Sequence, residues 1–124
     1  MPNLLLVEDD RDMVTLLRTL LEMEGYVVGS ARSGDAVLAM VDQQRPDVVL
    51  LDVNLAGQSG LQVLQTLRSR PETRAIRVIM TSGMDLSEQC LKEGADAFLL
   101  KPYMPDELVR LLEEVLAHPP PSSA

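Results

Sequence analysis

Five short runs of apolar residues alternate along the chain with longer stretches of mixed apolar and polar residues. The runs cover residues 3–7, 26–28, 48–51, 78–80 and 97–100. A continuous apolar run of this length is typical of a strand that is buried on both faces of a parallel sheet. The pattern therefore predicts five strands.

The stretches between the runs repeat apolar residues at intervals of three and four, which is the spacing of one helix face. On the first predicted helix, that face consists of Met13, Leu16, Leu17, Leu20 and Leu21. Gly25 follows this helix as a C-terminal cap, and Ser33 can cap the start of the second helix. A short fourth helix is predicted to stop at Gly94, and Pro105 suits the first turn of the last helix.

Strands that alternate with helices predict an α/β fold, because each helix carries the chain back to start the next parallel strand. The crossovers are expected to be right-handed, with helices covering both faces of the sheet. With 124 residues, the chain is long enough to form one such domain with a buried core.

The charge balance excludes some functions. The chain carries 11 Lys and Arg against 19 Asp and Glu, a net charge of −8. This charge would repel phosphates, so we expect no direct nucleic-acid binding and no attachment to an anionic membrane.

The chain has no apolar run long enough for a bilayer, and its first residues do not resemble a signal peptide, so a cytoplasmic location is expected. The single Cys90 excludes an intramolecular disulfide and is interpreted as a small buried residue.

Polar residues directly follow four of the five runs. They are Glu8, Asp9 and Asp10 after the first run, Asp52 and Asn54 after the third, Thr81 and Ser82 after the fourth, and Lys101 after the fifth. Ligands of parallel sheets bind beyond the carboxyl ends of the strands. We therefore expect these side chains to meet at one edge of the sheet.

This set of residues suits phosphoryl transfer to a carboxylate. Neighbouring carboxylates repel one another, and a hard divalent cation such as Mg²⁺ relieves that repulsion. Asp52 would be the nucleophile, Lys101 would neutralise one phosphoryl oxygen, and the Ser82 hydroxyl would donate to another. A nucleotide-triphosphate cradle is not supported, because the chain has no glycine-rich phosphate loop.

Four stretches of the chain resemble the receiver domain of bacterial two-component response regulators. They are LLLVEDD (residues 4–10), VVLLDVNLAGQSGL (48–61), VIMTSG (78–83) and GADAFLLKPYMPDEL (94–108). The resemblance extends from residue 3 to about residue 117. It implies an α/β, flavodoxin-like (βα)5 fold, a three-layer sandwich around a parallel five-stranded sheet of order 2-1-3-4-5.

The resemblance also implies a Mg²⁺ site and a phosphorylated aspartate. Glu8 and Asp9 match the acidic pair that holds Mg²⁺ in the family, Asp9 directly and Glu8 through water. Asp52 matches the phosphoacceptor, which is also a metal ligand, and the Asn54 main-chain carbonyl matches a further metal ligand. Lys101 matches the lysine of the family site.

Other matches concern the conformational switch of the family. Ser82 matches the switch hydroxyl and Phe98 the switch aromatic residue, with Thr81 left as an alternative to Ser82. The family often has a cis peptide bond at the position of Lys101–Pro102. Asp10 lies one place beyond the acidic pair and is a weaker metal candidate.

The chain departs from the family pattern at three places. Ala56 stands where proline is usual, which predicts a less rigid loop after Asp52. Ser82 replaces the commoner threonine. The stretch from Ser82 to Lys101 is shorter than usual, and the difference falls around residues 84–93.

These features predict a phosphorylation-dependent switch rather than a turnover enzyme. The expected partners are a histidine kinase or phosphotransfer protein, which donates the phosphoryl group, and a downstream protein that binds the changed surface. An aspartyl-phosphate phosphatase is disfavoured, because Asn54 stands where its second carboxylate would be needed. A phosphorylation-independent docking module with a receiver fold is the remaining alternative.

The predicted receiver domain covers residues 1–118, followed by a disordered Pro/Ser tail at 119–124. His118 is interpreted as a solvated residue near this tail. A local basic cluster near the end of the third helix is interpreted as a solvated surface. Its members are Arg68, Arg70, Arg74 and Arg77.

Overall fold

All five predicted strands are present in a computed structural model of the protein, which describes residues 1–55 and 57–117. Ala56 and residues 118–124 lie outside the described residues. The expectations of a less rigid loop at Ala56, a solvated His118 and a disordered tail therefore concern parts of the chain that the structure does not describe.

The chain forms seven strands and five helices within the described residues. The strands are β1 (Asn3–Val7), β2 (Val27–Ala31), β3 (Val48–Asp52), β4 (Asn54–Leu55), β5 (Gln58–Ser59), β6 (Arg77–Ser82) and β7 (Ala97–Leu100). The helices are α1 (Arg11–Met23), α2 (Gly34–Gln44), α3 (Gly60–Ser69), α4 (Ser87–Lys92) and α5 (Pro105–Ala117).

The main sheet has the strand order β2-β1-β3-β6-β7, and every neighbouring pair is parallel. The two-residue strands β4 and β5 pair only with each other, as an antiparallel hairpin. Without this hairpin, the order is the expected 2-1-3-4-5, so the flavodoxin-like α/β prediction is confirmed. The register aligns Asp52 with Thr81, which brings the carboxyl ends of β3 and β6 side by side.

Two apolar core clusters lie on opposite faces of the sheet. The first contains Leu5 and Val49 and extends to Cys90 of α4, and the second contains Leu4 and Val48 and lies against α1 and α5. Successive strand residues point to opposite faces, so each continuous apolar run supplies both clusters. The predicted three-layer arrangement and the burial of Cys90 are confirmed.

The helix ends follow their capping signals. The Asp10 carboxylate accepts the N–H groups of Asp12 and Met13 at 3.0 and 3.2 Å and so caps α1. Ser33 caps α2 as predicted. Gly25, just beyond α1, has a φ of +97°, the left-handed conformation that its position after the helix requires.

The predicted buried face of α1 is wrong at Leu16. Leu16 is 53% exposed, whereas Leu17 and Leu21 are buried, and Val14 packs against the second core cluster. Consecutive helix residues are separated by about 100° around the axis. The contact stripe of α1 is centred on Leu17 and Leu21, so Leu16 projects to its side.

The interpretation of the basic cluster as a solvated surface is wrong for Arg68. Its side chain is only 16% exposed and bonds to backbone carbonyls that are distant in sequence. No local pattern indicates these contacts, because their acceptors follow Arg68 by eight and 26 positions.

None of the helices in the described part of the chain combines the length and apolar character that crossing a bilayer requires.

Candidate functional site

Two carboxylates and a lysine meet at the carboxyl edge of the sheet. Glu8 follows β1, Asp52 is the last residue of β3, and Lys101 follows β7. Lys101 Nζ donates to Asp52 Oδ2 at 2.6 Å and to Glu8 Oε1 at 2.9 Å. Glu8 and Asp52 are each only 6% exposed. The lysine therefore compensates two negative charges that are largely withdrawn from water.

The charges of this cluster alter its ionisation. Burial raises the pKa of Glu8, and the bond from Lys101 offsets only part of that effect. Burial by itself would lower the pKa of Lys101, but its bonds to Asp52 and Glu8 outweigh burial and raise the pKa above its usual value. The ammonium form of Lys101 is therefore stabilised where it faces the two carboxylates.

Backbone groups orient both carboxylates. Glu8 Oε2 accepts the N–H groups of Asp9 and Asp10 at 3.2 and 3.4 Å, while its other oxygen faces Lys101. Asp52 Oδ1 accepts the N–H of Asn54 at 2.9 Å, while its other oxygen also faces Lys101. Each carboxylate is thus held between a local turn and the same ammonium group.

The remaining acids of the first strand tip lie outside this bridge. Asp9 is exposed beside the cluster. The Asp10 side chain is engaged in capping α1, which explains why an acid there need not be a ligand.

The two candidate hydroxyls are both buried at the end of β6. Ser82 is 1% and Thr81 is 3% exposed. Ser82 Oγ accepts the N–H of Met84 at 3.1 Å, and the Ser82 carbonyl accepts the N–H of Lys101 at 2.8 Å. These bonds place the Ser82 backbone beside the lysine.

Phe98 lies on the neighbouring strand, β7, and its register partner is Met80. It is half-buried and packs against the first core cluster. The peptide bond between Lys101 and Pro102 is cis, as the resemblance implied.

Backbone pairing joins the residues on the two sides of Ala56. Asn54 pairs with Ser59 in the β4–β5 hairpin, and Ser59 then caps α3. A side chain at Gly60 would collide with the Asp52 carbonyl. Gly60 therefore allows the start of α3 to pass directly against the backbone of Asp52.

The donor set fits a magnesium ion. Glu8, Asp9 and Asp52 bring three carboxylates to an edge where Lys101 supplies one positive charge, which leaves an excess of two negative charges. Mg²⁺ commonly binds through one or two carboxylates, waters and phosphate oxygens. Within residues 1–55 and 57–117, no three acidic, His or Cys side chains are arranged to hold a metal by themselves. A metal here would therefore also need backbone carbonyl or water ligands.

A cleft of about 190 Å³ beside the acidic cluster includes two arginines that our sequence reasoning missed. Arg11 opens α1, and Arg32 directly follows β2. Both line the cleft together with Glu8 and Asp9. The apolar run that predicted this strand ends at residue 28, whereas β2 continues to Ala31, so Arg32 did not stand at a predicted strand end.

The protein has a doubly wound α/β fold with acids and a lysine at the carboxyl edge of its sheet. Comparison with known proteins identifies the family to which it belongs. The sequence matches the family model of the response regulator receiver domain over residues 4–113. The chain therefore belongs to the response regulator receiver domain family of two-component systems.

Relatives in this family include transcriptional regulators. The chain is 35% identical over 124 residues to the phosphate regulon transcriptional regulatory protein PhoB of Rhizobium meliloti, covering 98% of this chain and 55% of PhoB. It is 38% identical over 117 residues to the transcriptional regulatory protein CpxR of Escherichia coli K12, covering 94% of this chain and 50% of CpxR. The chain thus spans about half the length of these relatives.

Solved structures agree with the family assignment. The chemotaxis response regulator CheY4 of Vibrio cholerae matches with a TM-score of 0.86 and 26% identity, covering 93% of this chain and 98% of CheY4. The receiver domain of the sensor histidine kinase PA1611 from Pseudomonas aeruginosa PAO1 matches with a TM-score of 0.84 and 26% identity. That match covers 94% of this chain and 98% of the PA1611 domain, whose structure has magnesium coordinated in the active site cleft.

Proposed function

We propose that this chain accepts a phosphoryl group on Asp52 in a Mg²⁺-dependent reaction and thereby switches a protein-binding surface. The observation that carries the proposal is the bridge from Lys101 to both Asp52 and Glu8, at 2.6 and 2.9 Å. A lysine next to a nearly buried aspartate supplies positive charge at the position where a transferred phosphoryl group needs it.

The donor is a phosphohistidine on a histidine kinase or phosphotransfer protein. An Asp52 carboxylate oxygen forms the new bond to phosphorus while the bond between phosphorus and the imidazole nitrogen breaks. The electron pair of that bond stays on the imidazole, which then takes up a proton. Lys101 turns from the Asp52 carboxylate toward a phosphoryl oxygen and remains paired with negative charge throughout.

Mg²⁺ would neutralise the charge that the phosphoryl oxygens bring to the site. Asp9, Asp52 and the Asn54 carbonyl would hold it directly, with Glu8 acting through water. The exposed position of Asp9 supports this assignment, because a metal that keeps several waters needs an open side.

Ser82 is the preferred donor of a hydrogen bond to the phosphoryl group. Its carbonyl already accepts the N–H of Lys101 at 2.8 Å, which keeps it near the lysine. The Ser82 hydroxyl would turn away from the N–H of Met84. The half-buried side chain of Phe98 on β7 would then change its position. If Thr81→Val abolishes the switch while Ser82→Ala retains it, the role belongs to Thr81.

The output is a change in protein binding rather than turnover of a substrate. The downstream partner is a protein, and the chain itself is not proposed to bind nucleic acid or membrane, which agrees with its net charge of −8. We assign the receiver to residues 1–118 with a separate tail at 119–124, in the cytoplasm, where its kinase partner would act.

Intact mass after incubation with acetyl phosphate and Mg²⁺ tests the proposal. Wild type is expected to gain one phosphoryl group, and Asp52→Ala is expected to gain none. Asp35→Ala, which removes an exposed aspartate of α2, is the matched control and should gain the group like wild type. A folded wild type that gains nothing would instead support a phosphorylation-independent docking module.

A further inference from the structure

Arg68 of α3 joins segments that meet at the amino-terminal edge of the sheet. Its Nη1 donates to the carbonyls of Arg74 and Ile76, at 3.1 and 2.6 Å, just before β6. Its Nε donates to the carbonyl of Gly94 at 2.8 Å, between α4 and β7. Its Nη2 pairs with Asp96 Oδ2 at 2.9 Å. The Arg68 side chain is 16% exposed, so its bonds to Ile76, Gly94 and Asp96 are partly shielded from water.

A second contact joins α3 to the end of α4. Gln65 lies one helical turn before Arg68, and its Nε2 donates to Glu93 Oε2 at 3.1 Å. Asp96 Oδ2 also accepts the N–H of Val78 at 2.8 Å, so one carboxylate binds both Arg68 and β6. We name Gln65, Arg68 and Asp96 the α3 clamp.

Gly94 lets the chain pass close to Arg68. Its φ is +110°, a left-handed conformation that ends α4, and a Cβ there would lie 3.2 Å from Arg68 Cγ. The clamp therefore bonds to the backbone at Gly94 as well as to the side chain of Glu93.

The amino-terminal end of α4 is held differently. Its N-cap residue, Leu86, makes no side-chain hydrogen bond to the helix, and the carboxylate of Asp85 accepts the N–H of Ser87 at 3.1 Å instead. The turn before it is closed by the bond from the Met84 N–H to Ser82 Oγ, at 3.1 Å. A Ser82 hydroxyl that reorients toward a phosphoryl group would weaken that bond.

We propose that Arg68 is a positioning residue, and that the α3 clamp fixes the carboxyl-terminal end of α4 and the start of β7. Phosphorylation then rearranges residues 83–88 and leaves residues 93–96 in place. The rearrangement rests on the proposed function of Asp52. The fixed end does not, because the clamp bonds are present without a phosphoryl group.

The arrangement requires the shape of arginine as well as its charge. Arginine presents its donors in a planar fork, whereas a lysine at this position could not reach the same carbonyls and Asp96 together. Burial lowers the pKa of Arg68, Asp96 opposes this effect, and the guanidinium remains ionised. Arg68→Lys therefore keeps the charge and removes the fork.

Hydrogen–deuterium exchange of the full chain, resolved to single amides, tests the clamp in the unmodified protein. Arg68→Lys is expected to exchange residues 93–97 and the Val78 amide about tenfold faster than wild type. Arg70→Lys is the matched control, because Arg70 pairs with Asp42 and Glu72 on a more exposed surface. It should leave those amides at their wild-type rates.

The same measurement after treatment with acetyl phosphate and Mg²⁺ tests the moving segment. Within residues 83–96 of the wild type, the change in exchange should be confined to residues 83–88. Arg68→Lys should gain the same phosphoryl mass, but its change should extend into residues 93–96. A merely structural role would accelerate exchange throughout the molecule, including β1, and would leave the extent of the phosphorylation response unaltered.

Two results would overturn the proposal. One is an Arg68→Lys protein that protects Val78 and residues 93–97 as wild type does. The other is a phosphorylated wild type in which residues 93–96 change as much as residues 83–88. A chain that takes no phosphoryl group refutes the proposed function and the moving segment, while the unmodified comparison still decides whether the clamp exists.

Discussion

Replacing Lys101 by methionine tests how far the site depends on its central charge. The Lys101 ammonium bonds to Asp52 at 2.6 Å and to Glu8 at 2.9 Å, and both carboxylates are nearly buried. Methionine keeps much of the side-chain volume but offers no donor. Glu8 and Asp52 would then face each other with no cation between them, so we expect Lys101→Met to lose stability.

The size of the loss follows from these contacts. A hydrogen bond to a charged group contributes about 1.5–3 kcal/mol, and two such bonds are removed. The Lys101 side chain is 25% exposed, so water would replace part of the interaction. We therefore expect the free energy of unfolding to fall by about 3 kcal/mol. This value is at the lower end of the roughly 3–5 kcal/mol that is lost when one partner of a buried ion pair is removed. For a domain of this size, the melting temperature should fall by about 10 °C.

The dependence on pH and on Mg²⁺ provides two further checks. The loss arises from ionised carboxylates, so it should shrink as the pH falls through the pKa of Glu8, which burial raises above its usual value. If the acids bind Mg²⁺, millimolar Mg²⁺ should recover part of the lost stability, because the cation replaces the missing positive charge.

Urea unfolding followed by circular dichroism is the assay, and Lys92→Met is the matched control. Lys92 is the other lysine of the chain, and it is exposed on α4. The two variants change the net charge equally. The difference between their free energies of unfolding therefore reports the contacts of Lys101. Equal stability of Lys101→Met and Lys92→Met at neutral pH without Mg²⁺ would refute the reasoning.

Two further predictions concern the second core cluster. Leu21→Ala should lower the free energy of unfolding by about 2–5 kcal/mol, whereas Leu16→Ala should change it by less than about 0.5 kcal/mol, because Leu21 is buried and Leu16 is 53% exposed. Equal losses in urea unfolding would contradict the orientation of α1. Burial raises the pKa of Tyr103 to about 12 from 10.0. The neutral phenol thus contributes stability that is present below pH 10 and falls as the pH rises toward about 12. Tyrosinate absorbance should show one tyrosine that ionises near pH 12 and is missing from Tyr103→Phe, and ordinary titration of Tyr103 near pH 10 in the folded protein would contradict it.

Much of the fold could be predicted because its signals are local. The runs at 3–7 and 48–51 are apolar at consecutive positions, and a strand that is buried on both faces of the sheet removes all of these side chains from water. Gly25 and Ser33 mark helix ends through conformations and bonds formed within a few residues. The carboxyl ends of parallel strands share an edge, so the meeting of Glu8, Asp52 and Lys101 could also be anticipated.

Other features could not be predicted, because they depend on which segment covers another. Leu16 belongs to an apolar repeat, yet only the seating of α1 on the sheet decides that Leu17 is buried and Leu16 is exposed. The hairpin on either side of Ala56 has little apolar periodicity, since it is held by backbone pairs such as Asn54 with Ser59.

The sequence by itself determined the alternation of strands and helices, the helix caps and the residue types at the strand ends, because these depend on periodicity and local hydrogen bonding. Only the tertiary structure decided the partners of Lys101 and Arg68. Lys101 bonds to residues 49 and 93 positions away. Arg68 bonds to Gly94 and Asp96, 26 and 28 positions away. Such contacts form only after the sheet has assembled, so no local pattern specifies them.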